Sequence, residues 1–359
     1  MEPEPRQSGT GKREKVIWLA GVAGAVVVAV WVLPRVASYA DIVGAIGSLS
    51  ASETVTLLAL GFGVIAVTGW SATLALGGLN WWRGTLSTVC ANFLTALVPT
   101  GADLAVRFAM YRSWGFNASR VTTAIAVTGV GRYITLLSLP LVGMAVLVLT
   151  GRGDDDTPFL LGLGLLAFVL LTGVPWLLLR REDLAHRFAH RLEQAVHKMA
   201  RLFKRPAPEG IEERVLRLHT LIVKEFKRRG WIVTFGQLAA AFANGIVLFA
   251  ALRFVGLGPD LISWGQTFYA FALGTIAGVI PLTPGNVGVT ELIILGVLAL
   301  DGGDYQAQIL AAALLYRVFT WMLPIPLGAI TFFWWRYQQS RAPAKGGHAS
   351  STAKSTFMR

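Results

Sequence analysis

Apolar residues in this chain come in long runs rather than at the spacing of a half-buried surface. A bilayer core is crossed by about 20 apolar residues in a helix. Residues 16–33, 54–79, 122–149, 158–179, 231–256 and 306–335 meet that length, and 54–79 and 158–179 carry no charge at all. The pattern predicts an all-α polytopic membrane protein with about six full transmembrane helices. Residues 16–33 admit a rival reading as a signal peptide, with Ser38-Tyr39-Ala40 as its cleavage site. The run is long for such a peptide, and further spans follow.

Two apolar regions break the template. Residues 85–98 stop at Pro99 and continue as a short arm, 102–112. Residues 266–280 stop at Pro281, Pro284 and Gly285 and continue as 289–300. Fourteen residues rise only about 21 Å, short of the ~30 Å core. Both regions are therefore expected to be re-entrant hairpins, two half-helices that enter and leave on one side. Pro99, Gly101, Pro284, Gly285 and Gly288 shape their turns.

The breaks also mark a duplication. Arg132 follows Pro99 by 33 positions, and Arg317 follows Pro284 by 33. Gly143 and Gly328 each come 11 positions later, with Pro140 or Pro324 just before. Repeat one spans 54–149 and repeat two 231–336, with the single span 158–179 among the residues between them. That odd span predicts an inverted repeat, as in many secondary transporters.

Charge orients the scheme. Only 14% of residues are charged, against about a quarter in soluble domains. Of the net +12, +7 lies in 180–230, which holds fourteen Lys/Arg against seven Asp/Glu. Lys12, Arg13, Lys15, Arg83, Arg336, Arg341 and Lys345 fall on the same side as this segment. Asp154, Asp155, Asp156, Asp301 and Asp304 fall on the other. The positive-inside rule then makes both termini cytoplasmic. The tails 1–15 and 337–359 are polar and expected to be disordered around a transmembrane domain, 16–336. The composition, rich in Arg, Ala, Gly and Val, points to a bacterial plasma membrane. Within 180–230, Leu184, Phe188, Leu192, Val196 and Met199 recur at helical spacing, as do Ile211, Val215, Leu218, Ile222 and Phe226. Such helices either lie in the headgroup layer or pack on each other. No nucleic-acid signature accompanies the basic charge.

Candidate chemistry is sparse. Arg132 and Arg317 lie about a dozen residues into their spans, a position close to the midplane by helical rise. An unpaired arginine there costs at least ~2.5 kcal/mol. Each needs a carboxylate, carbonyls, water or an anionic ligand, and a guanidinium fork suits phosphate. Glu291 is the carboxylate of hairpin two, a partner for either arginine. Asp103 and Arg107 are four apart and share a helix face, where they can pair. Asn92, Asn286, Thr95 and Thr283 are placed to satisfy backbone freed at the breaks. Arg132, Arg317 and Glu291 are expected to converge between the hairpin tips. Cys90 is the single cysteine, so intrachain disulfides and multi-cysteine metal sites are excluded. His186, His190 and His197 lack a carboxylate cluster that would make a metal site. Gly9-Thr10-Gly11-Lys12 lacks the Ser/Thr of a phosphate loop, because Arg13 stands there. No catalytic motif or cofactor is expected.

At Asn92–Arg107 (NFLTALVPTGADLAVR), Pro284–Glu291 (PGNVGVTE) and the LLYR ending at Arg317, the chain resembles the transmembrane flippase-like domain family of lysylphosphatidylglycerol synthases. The likeness covers roughly 50–336. Pro99, Gly101, Asp103 and Arg107 fit the first motif of that family. Asn286 stands where its second motif has a glycine. The resemblance implies a membrane path for a phospholipid or a polyprenyl-phosphate-linked lipid. The aminoacyl-transfer domain of the full-length synthases is missing, so no enzymatic activity is carried over. The leading expectation is a lipid translocase whose partner is a lipid with an anionic headgroup. The alternatives are a lipid-presenting subunit of a separate glycosyl- or aminoacyl-transferase and a small-solute secondary transporter.

Overall fold

A computed structural model describes residues 49–97, 101–153, 155–202, 210–277, 288–299 and 305–341, with Gly44 and Gly47. The expected first span 16–33, the tail 1–15, residues 342–359, and Pro99, Pro284, Gly285 and Asn286 lie outside the described residues, while 337–341, expected in the disordered tail, continue the last helix to Arg341. All regular structure among the described residues is helical. In chain order the helices are α1 (Ala51–Ala75), α2 (Trp81–Leu97), α3 (Ala102–Ser113), α4 (Ala118–Leu149), α5 (Thr157–Arg180) and α6 (Glu182–Leu202). They continue as α7 (Ile211–Phe254), α8 (Trp264–Ala277), α9 (Val289–Leu298), α10 (Gln306–Arg317) and α11 (Pro324–Arg341). A π-helical turn, Val318–Met322, joins the last two.

Five helical stretches are long and apolar enough to cross a membrane: Ala51–Ala75, Ala118–Leu149, Thr157–Val174, Ile211–Phe254 and Gln306–Ser340. They coincide with five of the six spans read from the sequence, and the protein is a polytopic all-α membrane protein. The first of them starts at a capping box. Ser50 Oγ accepts the Glu53 N–H at 3.3 Å, and the Glu53 carboxylate accepts the Ser50 N–H at 2.8 Å.

α1 and α7 form the central pair and run antiparallel. The start of α1 (Leu57, Val64) shares one core with the end of α7 (Val247, Leu248, Ala251). The end of α1 (Ala72, Ala75) shares another with Val233, Ile222 and Phe226 of α7. A Gln237–Ser71 hydrogen bond of 3.0 Å ties them between.

The short helices form two antiparallel pairs. In α2–α3, Ser87 meets Tyr111 at 3.0 Å. In α8–α9, Gly274 lies against Thr290, whose hydroxyl is 3.5 Å from the Gly274 carbonyl. Each pair leans, through a glycine, on a long helix remote from it in sequence. A Cβ on Gly143 of α4 would stand 2.8 Å from Tyr269 Cα of α8. One on Gly328 of α11 would stand 2.0 Å from the Val89 carbonyl oxygen of α2. These are the two glycines at matched offsets, and each is required because a backbone sits where its side chain would be.

Long arginines lace the two ends. At one end Arg120 donates to the Gly77 carbonyl at 2.6 Å, and the Arg229 guanidinium also lies against Gly77. Trp335 donates to Ser113 there at 3.0 Å. Trp81, Trp82 and Trp231 are exposed near this end, as expected of an interfacial belt. At the other end Arg152 donates to the Pro259 carbonyl at 2.8 Å, and Arg253 donates to those of Leu257 and Ile262.

One expectation needs correction. The stretch beginning at Ile211 is not a separate amphipathic helix but the first part of α7, which runs 44 residues without a break. At 1.5 Å per residue α7 is about 66 Å long, twice the bilayer core. Its amphipathic part packs against α6: Glu212 Oε1 lies 3.6 Å from His186 Nδ1 and Glu212 Oε2 3.4 Å from His190 Nδ1.

Candidate functional site

α9 begins at Gly288, whose φ of +83° suits glycine, and it carries Glu291 in its first turn. α10 ends on Arg317. The two side chains meet: Arg317 Nε donates to Glu291 Oε1 at 2.7 Å, and the groups are only 9% and 4% exposed. The Arg317 guanidinium also lies 5.8 Å from the centre of the Trp321 ring, a contact the sequence reading did not identify. Its signal was available, since Trp321 follows Arg317 by four. Glu291 Oε2 is buried without a hydrogen-bond partner among the described residues. This pair answers the desolvation cost of each charge with the other, the condition under which buried ions persist.

Arg132 is not part of that pair. Its side chain is exposed, and it makes no hydrogen bond or ion pair among the described residues. Arg132 shares a face of α4 with Leu139 and Gly143, the face that meets α8. The register is antiparallel, with Gly143 against Tyr269 and Leu147 against Gly265. Continued, it carries Arg132 to a level three residues, about 4.5 Å, beyond Ala277. The neighbouring Gly131 packs on Thr234, three residues along α7 from the exposed Trp231. Arg132 therefore sits toward the tryptophan-lined end, closer to headgroups than its rise along α4 alone implies. An exposed arginine there can extend toward phosphate.

Hairpin one carries the other candidates. Asp103 and Arg107 lie on the face of α3 that holds buried Val106 and Met110, so they point at α2 and are half-buried. They do not pair with each other, although their spacing allows it. Arg107 instead reaches Thr88 of α2, at a long 3.5 Å. Asn92, one turn along α2 from Thr88, is half-buried and has no hydrogen-bond partner among the described residues. Thr95 bonds back to the Ala91 carbonyl at 2.9 Å within its own helix. Thr88 was not singled out from the sequence, since a threonine in an apolar helix carries no signal of its own. Gly101 caps α3 at φ +73°, which explains a glycine after the break. Among the described residues no group of His, Cys, Asp and Glu is arranged to hold a metal ion.

Residues 16–328 match the family described as the lysylphosphatidylglycerol synthase TM region. That is most of the chain, and the chain belongs to this family. Among curated proteins none matches it.

Proposed function

From that membership we propose that the protein moves a phospholipid or polyprenyl-phosphate-linked lipid between the leaflets of the bacterial plasma membrane. It does so as a flippase- or scramblase-like translocase and catalyses no covalent step. Both termini are cytoplasmic in this reading. The observation that carries it is the reciprocal seating of the two short helix pairs. α2–α3 sits on α11 and α8–α9 sits on α4, and the central helices α1 and α7 run antiparallel. Such an arrangement suits two re-entrant hairpins in an inverted repeat, which meet where broken backbone is tolerated only beside water or protein. Arg132 is then the accessible phosphate contact. Glu291 and Arg317 are the internal tie that holds hairpin two to its closing helix.

A second reading, presentation of lipid to a separate glycosyl- or aminoacyl-transferase, draws on the part of α7 before Trp231. This stretch and α6 offer a partner a structured, basic surface. The two readings separate in proteoliposomes that contain this chain alone. Leaflet-resolved quenching of a fluorescent phospholipid should show translocation by the intact protein. Arg132→Ala should slow it at least tenfold without changing the melting curve. Vesicles that equilibrate no faster with protein than without would refute translocation and leave presentation.

A further inference from the structure

The two hairpins treat their charges differently. The carboxylate of hairpin two, Glu291, is joined at 2.7 Å to Arg317 of α10, and both are almost fully buried. In hairpin one, Asp103 and Arg107 are both half-buried, share the inward face of α3, and remain apart. The Arg107–Thr88 and Ser87–Tyr111 contacts set α2 and α3 antiparallel. Continuing the Arg107–Thr88 register by one turn brings Asp103 opposite Asn92. The seam is thus a short polar strip across two apolar helices: Thr88 and Arg107 at one level, Asn92 and Asp103 at the next.

Its groups are poorly satisfied from within. Arg107 has a single long hydrogen bond, and Asp103 and Asn92 have no hydrogen bond among the described residues. Two opposite charges four apart on one helix normally gain by pairing. A half-buried pair kept open and turned toward α2 is suited to a ligand that supplies both counter-charges. A purely anionic headgroup fits poorly, because Asp103 repels what Arg107 attracts. A purely cationic one fails in the opposite sense. Neighbouring positions at this spacing stand 5–6 Å apart, a span suited to a phosphate and an ammonium separated by a short linker.

We propose that the α2–α3 seam binds a zwitterionic phospholipid headgroup, with the phosphate on Arg107 and Thr88 and the ammonium on Asp103 and the Asn92 carbonyl. This inference rests on the lipid-translocation reading and names the headgroup class its inner-facing site selects. Arg107 supplies a fork for phosphate oxygens. Asp103 and the amide oxygen of Asn92 accept from the ammonium. In hairpin two the carboxylate, Glu291, is already met by Arg317 of α10.

Binding to the purified full chain tests it, with dihexanoyl phosphatidylethanolamine as the zwitterionic probe and dihexanoyl phosphatidylglycerol as the anionic one. The intact protein should prefer the first at least tenfold. Asp103→Asn, nearly isosteric, should remove that preference by weakening the zwitterion while leaving or improving the anion. Arg107→Gln should weaken both. Arg107→Lys should recover part of each, which a merely structural role would not produce in step with the probe. Equal affinity of the intact protein for the two probes, or an unchanged preference in folded Asp103→Asn, would overturn the assignment. Glycerophosphoethanolamine, the same headgroup without chains, should compete at least tenfold less well. Equal competition would mean a soluble phosphoamine ligand and would also overturn it. The outcome is separable from the translocation reading. Leaflet exchange with no headgroup preference refutes only the seam, and headgroup binding without exchange refutes only translocation.

Discussion

Removing one partner of the Glu291–Arg317 pair should be among the most destabilising polar changes in the protein. The bond is 2.7 Å long, and the side chains are 9% and 4% exposed, so screening by solvent is slight. Arg317→Met would leave the Glu291 carboxylate buried with neither oxygen partnered by that arginine, since Oε2 already has no partner among the described residues. Stripping one member from a buried pair costs about 3–5 kcal/mol. The same range is expected for Glu291→Leu, which takes the carboxylate away from the Arg317 guanidinium. Replacing both together removes two desolvation costs along with their attraction, and apolar replacement of a buried pair is often neutral or stabilising. The double variant should therefore lie within ~1 kcal/mol of the parent. Reversible unfolding in mixed micelles, run as a double-mutant cycle, gives the coupling directly. Single variants within ~0.5 kcal/mol of the parent would refute the reasoning. So would a double variant that costs the sum of the singles. A stable double variant that still translocates lipid would identify the pair as a tie rather than a carrier of charge.

Three further outcomes follow from the packing. Gly328→Ala places a Cβ 2.0 Å from the Val89 carbonyl, so it should cost ~1–3 kcal/mol of unfolding free energy and lower the melting temperature; an unchanged melt would remove the close contact. Single cysteines at Asp155 and Arg214, introduced with Cys90→Ala, should react with an impermeant maleimide from opposite sides of the membrane, and labelling of both from one side would break the orientation. Arg253→Ala should loosen the turn held by the Leu257 and Ile262 carbonyls, raising protease cleavage within 255–263; equal cleavage would show the clamp to be idle.

The long apolar runs exposed the spans because burial in lipid constrains every residue of a crossing helix. The Glu291–Arg317 contact was legible for a related reason: a carboxylate and a guanidinium in apolar surroundings have few other partners. Arg132 was expected to join them and does not, because the direction of a side chain depends on which face of α4 meets α8, a long-range matter. Asp103 and Arg107 show the converse failure. Their spacing permits an ion pair, but both face α2, and Arg107 turns to Thr88. The length of α7 was hidden because the polarity changes near Gly230 while the backbone does not. A glycine there signals a stop by propensity, yet it is buried and helical. The π-turn was equally hidden. Pro324 has no N–H to give, and the ladder before it widens, with the Leu323 N–H reaching the Val318 carbonyl at 2.9 Å. The matched glycines were visible as markers, but only the fold shows that each receives a helix from a remote part of the chain.

That exchange of helices sets an order on biogenesis. The Cys90 thiol and the Gly328 carbonyl it approaches are 238 residues apart. Translation at roughly 5–20 residues per second separates their emergence by about 12–50 s. Hairpin one leaves the ribosome early, yet α11, the surface it seats on, is made only after every helix between them. Until then α2 lacks the helix whose Gly328 it packs against. Loss of α11 would thus strand α2–α3, and a truncation before Pro324 would be felt far upstream, where Val89 and Cys90 meet Gly328.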